Sequence, residues 1–189
     1  MTIELKQFQH TASAKIADRF TAYDADPVVV GTRKNPRVLP FFQQLASLTA
    51  SGKTPMLADA VCTIAAATAV PPVILWLSKG TVVVGQSLAN LQPGGKYAHL
   101  LGQSVVRALS DYDETEAEES RDALVYFATV GTFNQKDKEE GDRLIYKSNI
   151  DTAAQSTWES LKARKDPSGV TRPLIVVYDE AQNLSDQQT

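Results

Sequence analysis

The order of segments along the chain predicts an α/β fold, a mainly parallel sheet flanked by helices. Three observations carry that expectation. Residues 73–77 and 174–178 are short, continuous apolar runs, the pattern of strands buried on both faces of a parallel sheet. Stretches of helical period stand between the strand-like runs. The 189 residues are 43% hydrophobic and 22% charged, enough for the core of one domain. That mixture excludes a wholly disordered chain. A net charge of −3 excludes a strongly basic, histone-like binder, although a local basic patch remains compatible with it.

The elements follow in order. Residues 10–23 carry Ala14, Ile16, Ala17 and Phe20 at helical spacing. Residues 24–36 read as a loop, with Val28, Val29 and Val30 as a possible short strand. The latter part of 38–48 is expected to be a strand. A helix is expected over 56–69, with Pro55 in its first turn, where a missing N–H costs nothing, and with Pro71 and Pro72 as its stop. A strand over 73–77, a helix over 81–91 and a turn at 93–95 come next. Strands are expected at 124–129 and 174–178. Six acids between Asp111 and Glu119 could in principle hold a metal; a solvated loop or helix start is the simpler reading. His10 and His99 are expected at the surface, and Trp76 in the core. Trp158, with Lys162, Arg164 and Lys165, suits a solvated helix face. Cys62 suits a small buried hydrophobe. A single cysteine cannot form an internal disulfide, and residues 1–7 lack the apolar run of a signal peptide. These features point to a cytoplasmic protein that does not enter the membrane.

Two segments carry chemistry. Residues 47–54 match the phosphate-loop pattern G-x-x-x-x-G-K-[ST] except at Ser47, which stands in place of the first glycine. In such a loop, Thr49, Ala50 and Ser51 curl so that N–H groups face phosphate, and the dipole of the following helix favours the anion. Gly52 lets the backbone come close. Lys53 would reach the β- and γ-phosphates, and Thr54 would offer its hydroxyl to Mg²⁺. The second segment ends the run at 174–178 with Asp179 and Glu180, at the carboxyl edge where open α/β sheets bind ligands. Asp179 would hold Mg²⁺, and Glu180 would activate the attacking water. Together they define a nucleotide site.

With Ala181 and Gln182 added, these segments resemble motifs I and II of superfamily 2 helicases and translocases. The likeness is greatest to the motor subunit of type III restriction enzymes and its DEAD/DEAH-like relatives. Residues 5–9 resemble the element whose aromatic stacks on adenine and whose glutamine reads its edge, which implies those roles for Phe8 and Gln9. Residues 75–80 resemble motif Ia and residues 128–133 motif Ib, which implies nucleic-acid contacts at Ser78, Lys79, Thr129 and Gly131. The resemblance also implies that Gln182 assists Glu180 in catalysis beside Lys53. Residues 1–36 would then hold the adenine-recognition segment and a helix, and 37–189 a partial RecA-like domain with motifs I, Ia, Ib and II.

The implied cofactors are ATP and Mg²⁺. The implied partners are duplex DNA and the remainder of a motor: a second RecA-like domain, or a modification or other partner subunit. The resemblance further implies a fragment that stops before the strand following motif II, leaving a gap in the sheet, marginal stability, and weak hydrolysis for lack of an arginine finger. Two alternatives stay open: a non-catalytic interaction or DNA-binding module, and a stand-alone phosphate-loop ATPase or kinase.

Overall fold

Continuous apolar runs make strands that can be covered on both sides, and the computed structural model builds its sheet from them, although in the run 174–178 Leu174 and Val176 stay exposed, contrary to the burial expected on both faces. It describes residues 3–46, 51–133, 145–146 and 156–179. The chain divides into two compact units, Met1–Ala67 and Thr68–Thr189.

The first unit holds helix α1 (Gln7–Ala25), strands β1 (Val29–Thr32) and β2 (Asn35–Val38), and helix α2 (Lys53–Ala67). Helix α1 starts three residues earlier than its apolar spacing implies and takes in Phe8 and Gln9. α1 and α2 pack on each other. Ser13 Oγ on α1 donates to Asp59 Oδ2 on α2, and His10 Nδ1 lies 3.6 Å from the same oxygen. Cys62, a turn beyond Asp59, is half-buried rather than buried; burial, then the Asp59 charge, pushes its thiol pKa up, away from nucleophilic use. In residues 24–36 the short strand considered at Val28–Val30 is present as β1, but the loop expected around it is a hairpin: β1 and β2 pair antiparallel, with Val29 opposite Val38 and Thr32 opposite Asn35. Residues 39–46 form no strand, contrary to expectation; Ser47 and Leu48 lie outside the described residues. Pro40 and the polar pair Gln43–Gln44 break the alternation that a strand needs.

The second unit contains a four-stranded, all-parallel sheet in the order β4 (Val105–Ala108), β5 (Leu124–Thr129), β3 (Val73–Ser78), β6 (Leu174–Tyr178). Helix α3 (Thr81–Leu91) follows β3 and packs across β3, β4 and β5. A short helix α4 (Glu114–Glu119) precedes β5, and α5 (Thr157–Ala163) precedes β6. This is a mixed α/β architecture, as the sequence led us to expect. The acidic run covers the whole of α4 and its N-cap, where the Asp113 side chain accepts from the Glu116 N–H and caps the helix. One face of the sheet buries Val73, Leu75, Leu124 and Tyr126 with Leu109, Ala117 and Leu161. On the other, Trp76 stacks on Phe127 with ring centroids 5.5 Å apart, and Trp76 is fully buried. His10 and His99 are exposed as expected. Trp158 is half-buried and meets Phe133 and Tyr146 edge-on, while Lys162 and Lys165 face solvent. Among the described residues, no helix is long and apolar enough to cross a membrane.

The amino ends of the strands are gathered by one side chain. Arg172 is 1% exposed. Its Nη1 donates to the carbonyls of Pro71 at 3.1 Å and Asp122 at 3.0 Å, its Nη2 to the Ser120 carbonyl, and its Nε to the Lys165 carbonyl at 3.4 Å. These carbonyls lie just before β3, just before β5, and in the connection into β6. Burial pulls the guanidinium pKa down, an effect opposed by the charge of Asp166. It stays charged, because arginine does not lose its proton in proteins.

Tyr126 lies deep in the same region, and its hydroxyl has no hydrogen-bond partner among the described residues. Burial pushes its phenol well above the ordinary tyrosine range, and burial raises Tyr112 as well. An unfolded tyrosine ionises near pH 10. Above that pH the unfolded chain releases a proton that the folded chain keeps. Stability should therefore be flat up to about pH 9.5 and then fall by about 1.4 kcal/mol per pH unit for each such group. Urea unfolding between pH 8 and 11.5 reads this directly. Tyr126→Phe should flatten the alkaline fall and leave stability at neutral pH unchanged or slightly higher. An equally steep fall in that variant would refute the assignment.

Candidate functional site

The candidate residues fall into two groups, one in each unit. In the first, the path into the loop is tied to α1. Phe41 packs edge-on against Phe20, with centroids 5.5 Å apart, and against Tyr23. The Tyr23 hydroxyl donates to the Leu39 carbonyl, and Arg19 Nη1 donates to Gln43 Oε1 at 2.8 Å. A segment without regular structure, pinned to α1, thus stands where a strand was expected.

At the loop itself, Gln9 is the connecting residue. It is 9% exposed. Its Oε1 accepts from the Lys6 N–H at 2.8 Å, and its Nε2 donates to the Ser51 carbonyl at 2.8 Å. Gly52 follows at φ +84°, in the region that favours glycine. A Cβ there would lie 2.4 Å from Gln9 Nε2. α2 then begins at Lys53, and the Met56 N–H donates to the Gly52 carbonyl at 3.2 Å. Pro55 sits in the first turn, with no N–H to leave unsatisfied. The amino end of this 15-residue helix favours an anion. Phe8, 53% exposed, precedes Gln9. Gln9, Ser51, Gly52, Lys53 and Thr54 therefore belong to one local structure, with Phe8 next to Gln9 on α1. Thr49 and Ala50 lie outside the described residues.

The second group lines the carboxyl edge of the sheet. Ser78 pairs with Thr129 across β3 and β5. Leu77 pairs with Tyr178, and the Asp179 N–H donates to the Leu77 carbonyl at 2.8 Å, so Asp179 extends the same register past β6. Directly paired residues share a face, so Thr129, Ser78 and Asp179 form one row on one face of the sheet. Ser78 and Asp179 are buried. The Ser78 hydroxyl has no hydrogen-bond partner among the described residues. Thr129 Oγ1 lies 3.1 Å from Thr132 Oγ1. Exposed Lys79 stands one residue before Gly80, the N-cap of α3, and Gly131 lies in the short 3-10 turn after β5. Asp179 and the motif Ia and Ib candidates are thus side by side, at the edge where open α/β sheets take ligands. Glu180 and Gln182 lie outside the described residues.

Among the described residues, no group of three or more His, Cys, Asp or Glu could hold a metal by protein ligands alone. Magnesium does not require one, because it usually rides on substrate phosphates with one or two protein oxygens. The polar row of Ser78, Thr129 and Asp179 was readable only in part from sequence, since strand register is not visible there. Compared with family models, curated proteins and solved structures, the chain gives no match in any of the three.

Proposed function

We propose that this chain is an ATP-binding motor domain that couples hydrolysis to movement on DNA, similar to the motor subunit of type III restriction enzymes. One observation carries the reading: the Gln9 side chain binds the Ser51 carbonyl beside left-handed Gly52, at the amino end of α2. Phe8 would stack on adenine, and Gln9 would read its edge from a position already linked to the loop. Lys53 would neutralise the phosphates. By the resemblance, Thr54 and Asp179 would offer oxygens to Mg²⁺, which would stabilise charge developing on the transferred phosphoryl group. Glu180, assisted by Gln182, would orient and deprotonate the attacking water. Ser78, Lys79, Thr129 and Gly131 would meet the DNA backbone.

Thermal unfolding with and without Mg-ATP, beside Lys53→Ala, tests the proposal. A ligand at 100 times its Kd stabilises by about 2.7 kcal/mol, which for a chain of this size raises the midpoint by about 5–10 °C. That rise is expected in the wild type and is lost in Lys53→Ala. A cooperative melt that ATP leaves unmoved would overturn the reading in favour of a non-catalytic module.

A further inference from the structure

All eight residues of the β1–β2 hairpin are exposed, on both faces. An isolated two-stranded hairpin is marginal in water, and this one carries Val29 at 56% and Val38 at 60% exposure. Arg33 and Lys34 occupy its two-residue turn, and Arg37 lies on β2 opposite Val30. None of the three forms an ion pair among the described residues. No Asp or Glu occurs between Asp26 and Asp59, in a chain whose net charge is negative. Beyond the hairpin, Phe41 packs on α1, whereas Phe42 is 86% exposed.

We propose that this hairpin is a nucleic-acid-binding arm. Its charge is complementary to a phosphate backbone, and a two-stranded ribbon is of the width that a major groove admits. Three cations at the turn and on one strand, without ion-pair partners among the described residues, supply attraction that does not depend on base sequence. An exposed ring such as Phe42 offers a base a stacking surface. The arm deepens the reading of DNA as the partner and rests on it, but it is independent of the phosphate loop.

Fluorescence anisotropy of the full chain with labelled duplex and single-stranded DNA, measured without ATP or Mg²⁺, keeps the two claims apart. The wild type should bind both, with affinity falling steeply as salt rises. The variant R33Q/K34Q/R37Q should bind about 10- to 100-fold more weakly, and its log–log salt slope should shrink by about 2–3. R33K/R37K should keep the wild-type slope. Phe42→Ala should weaken single-strand binding about 5- to 10-fold. All substitutions lie on exposed residues, so an unchanged melting temperature is the fold control. No salt-dependent binding by the wild type would overturn the proposal. So would an unchanged slope in the triple variant, or equal affinity for poly-glutamate competitors, which would assign the arm to an acidic protein partner instead.

Discussion

Arg172→Ala should destabilise the second unit by about 3–5 kcal/mol, read as a lowered urea midpoint with an unchanged slope. The size follows from what the guanidinium holds. It donates to the carbonyls of Pro71, Ser120 and Asp122, just before β3 and β5, and to that of Lys165 in the connection into β6. Removing it leaves several acceptors unsatisfied, each at about 1–3 kcal/mol before relaxation or water entry, and opens a cavity where the longest buried side chain stood. Arg172→Lys keeps the charge but cannot span three carbonyl directions with one ammonium. It should recover less than half of the loss. A fall below 1 kcal/mol in the alanine variant would mean that water replaces the guanidinium without cost.

Gly52→Ala should cost about 2–3 kcal/mol of stability and, under the function proposed above, shrink the stabilisation by Mg-ATP. An L-residue forced to φ +84° carries about 1–2 kcal/mol of strain. The new methyl group would also sit 2.4 Å from Gln9 Nε2 and push that side chain off the Ser51 carbonyl, at a cost of about 1 kcal/mol more. The two contributions separate in a double-mutant cycle. Gln9→Ala removes the steric partner, so the double variant should be more stable than the sum of the single losses by about 1 kcal/mol. Strict additivity would show that Gln9 and Gly52 do not act on each other.

Local placement was the most legible. That Gly52-Lys53-Thr54 opens a helix and that Asp179 follows a strand could be read directly, because each depends on its immediate neighbours. β3, β5 and β6 were legible for a similar reason: Val73–Ser78, Leu124–Thr129 and Leu174–Tyr178 are apolar along nearly their whole length. β4 was not, because four residues with Arg107 among them give no period, and Arg107 is a surface residue paired with Glu116 at 2.9 Å. The hairpin was hidden by Pro36 and by the cations at its turn, residues that suit an outer strand but mimic a loop. Arg172 gave no signal, since its partners are backbone carbonyls, most of them in two segments far away in sequence. The same holds for the Gln9–Ser51 bond, which spans 42 positions along the chain.

The strand order also governs the timetable of assembly. β3 occupies a central place, yet its partner β6 arrives late: Val73 aligns with Leu174. During synthesis from the amino terminus, β3, β4 and β5 can associate while one side of β3 still offers bare N–H and C=O groups to any passing strand. Closing so long a loop is slow compared with local pairing. The nascent chain therefore passes through a stage in which β3 is the open edge, and Arg172, next to β6 in sequence, reaches its carbonyls as β6 docks and becomes the edge of the described sheet in its turn. Yield on expression should depend more on how quickly this last strand docks than on the final free energy of the folded protein.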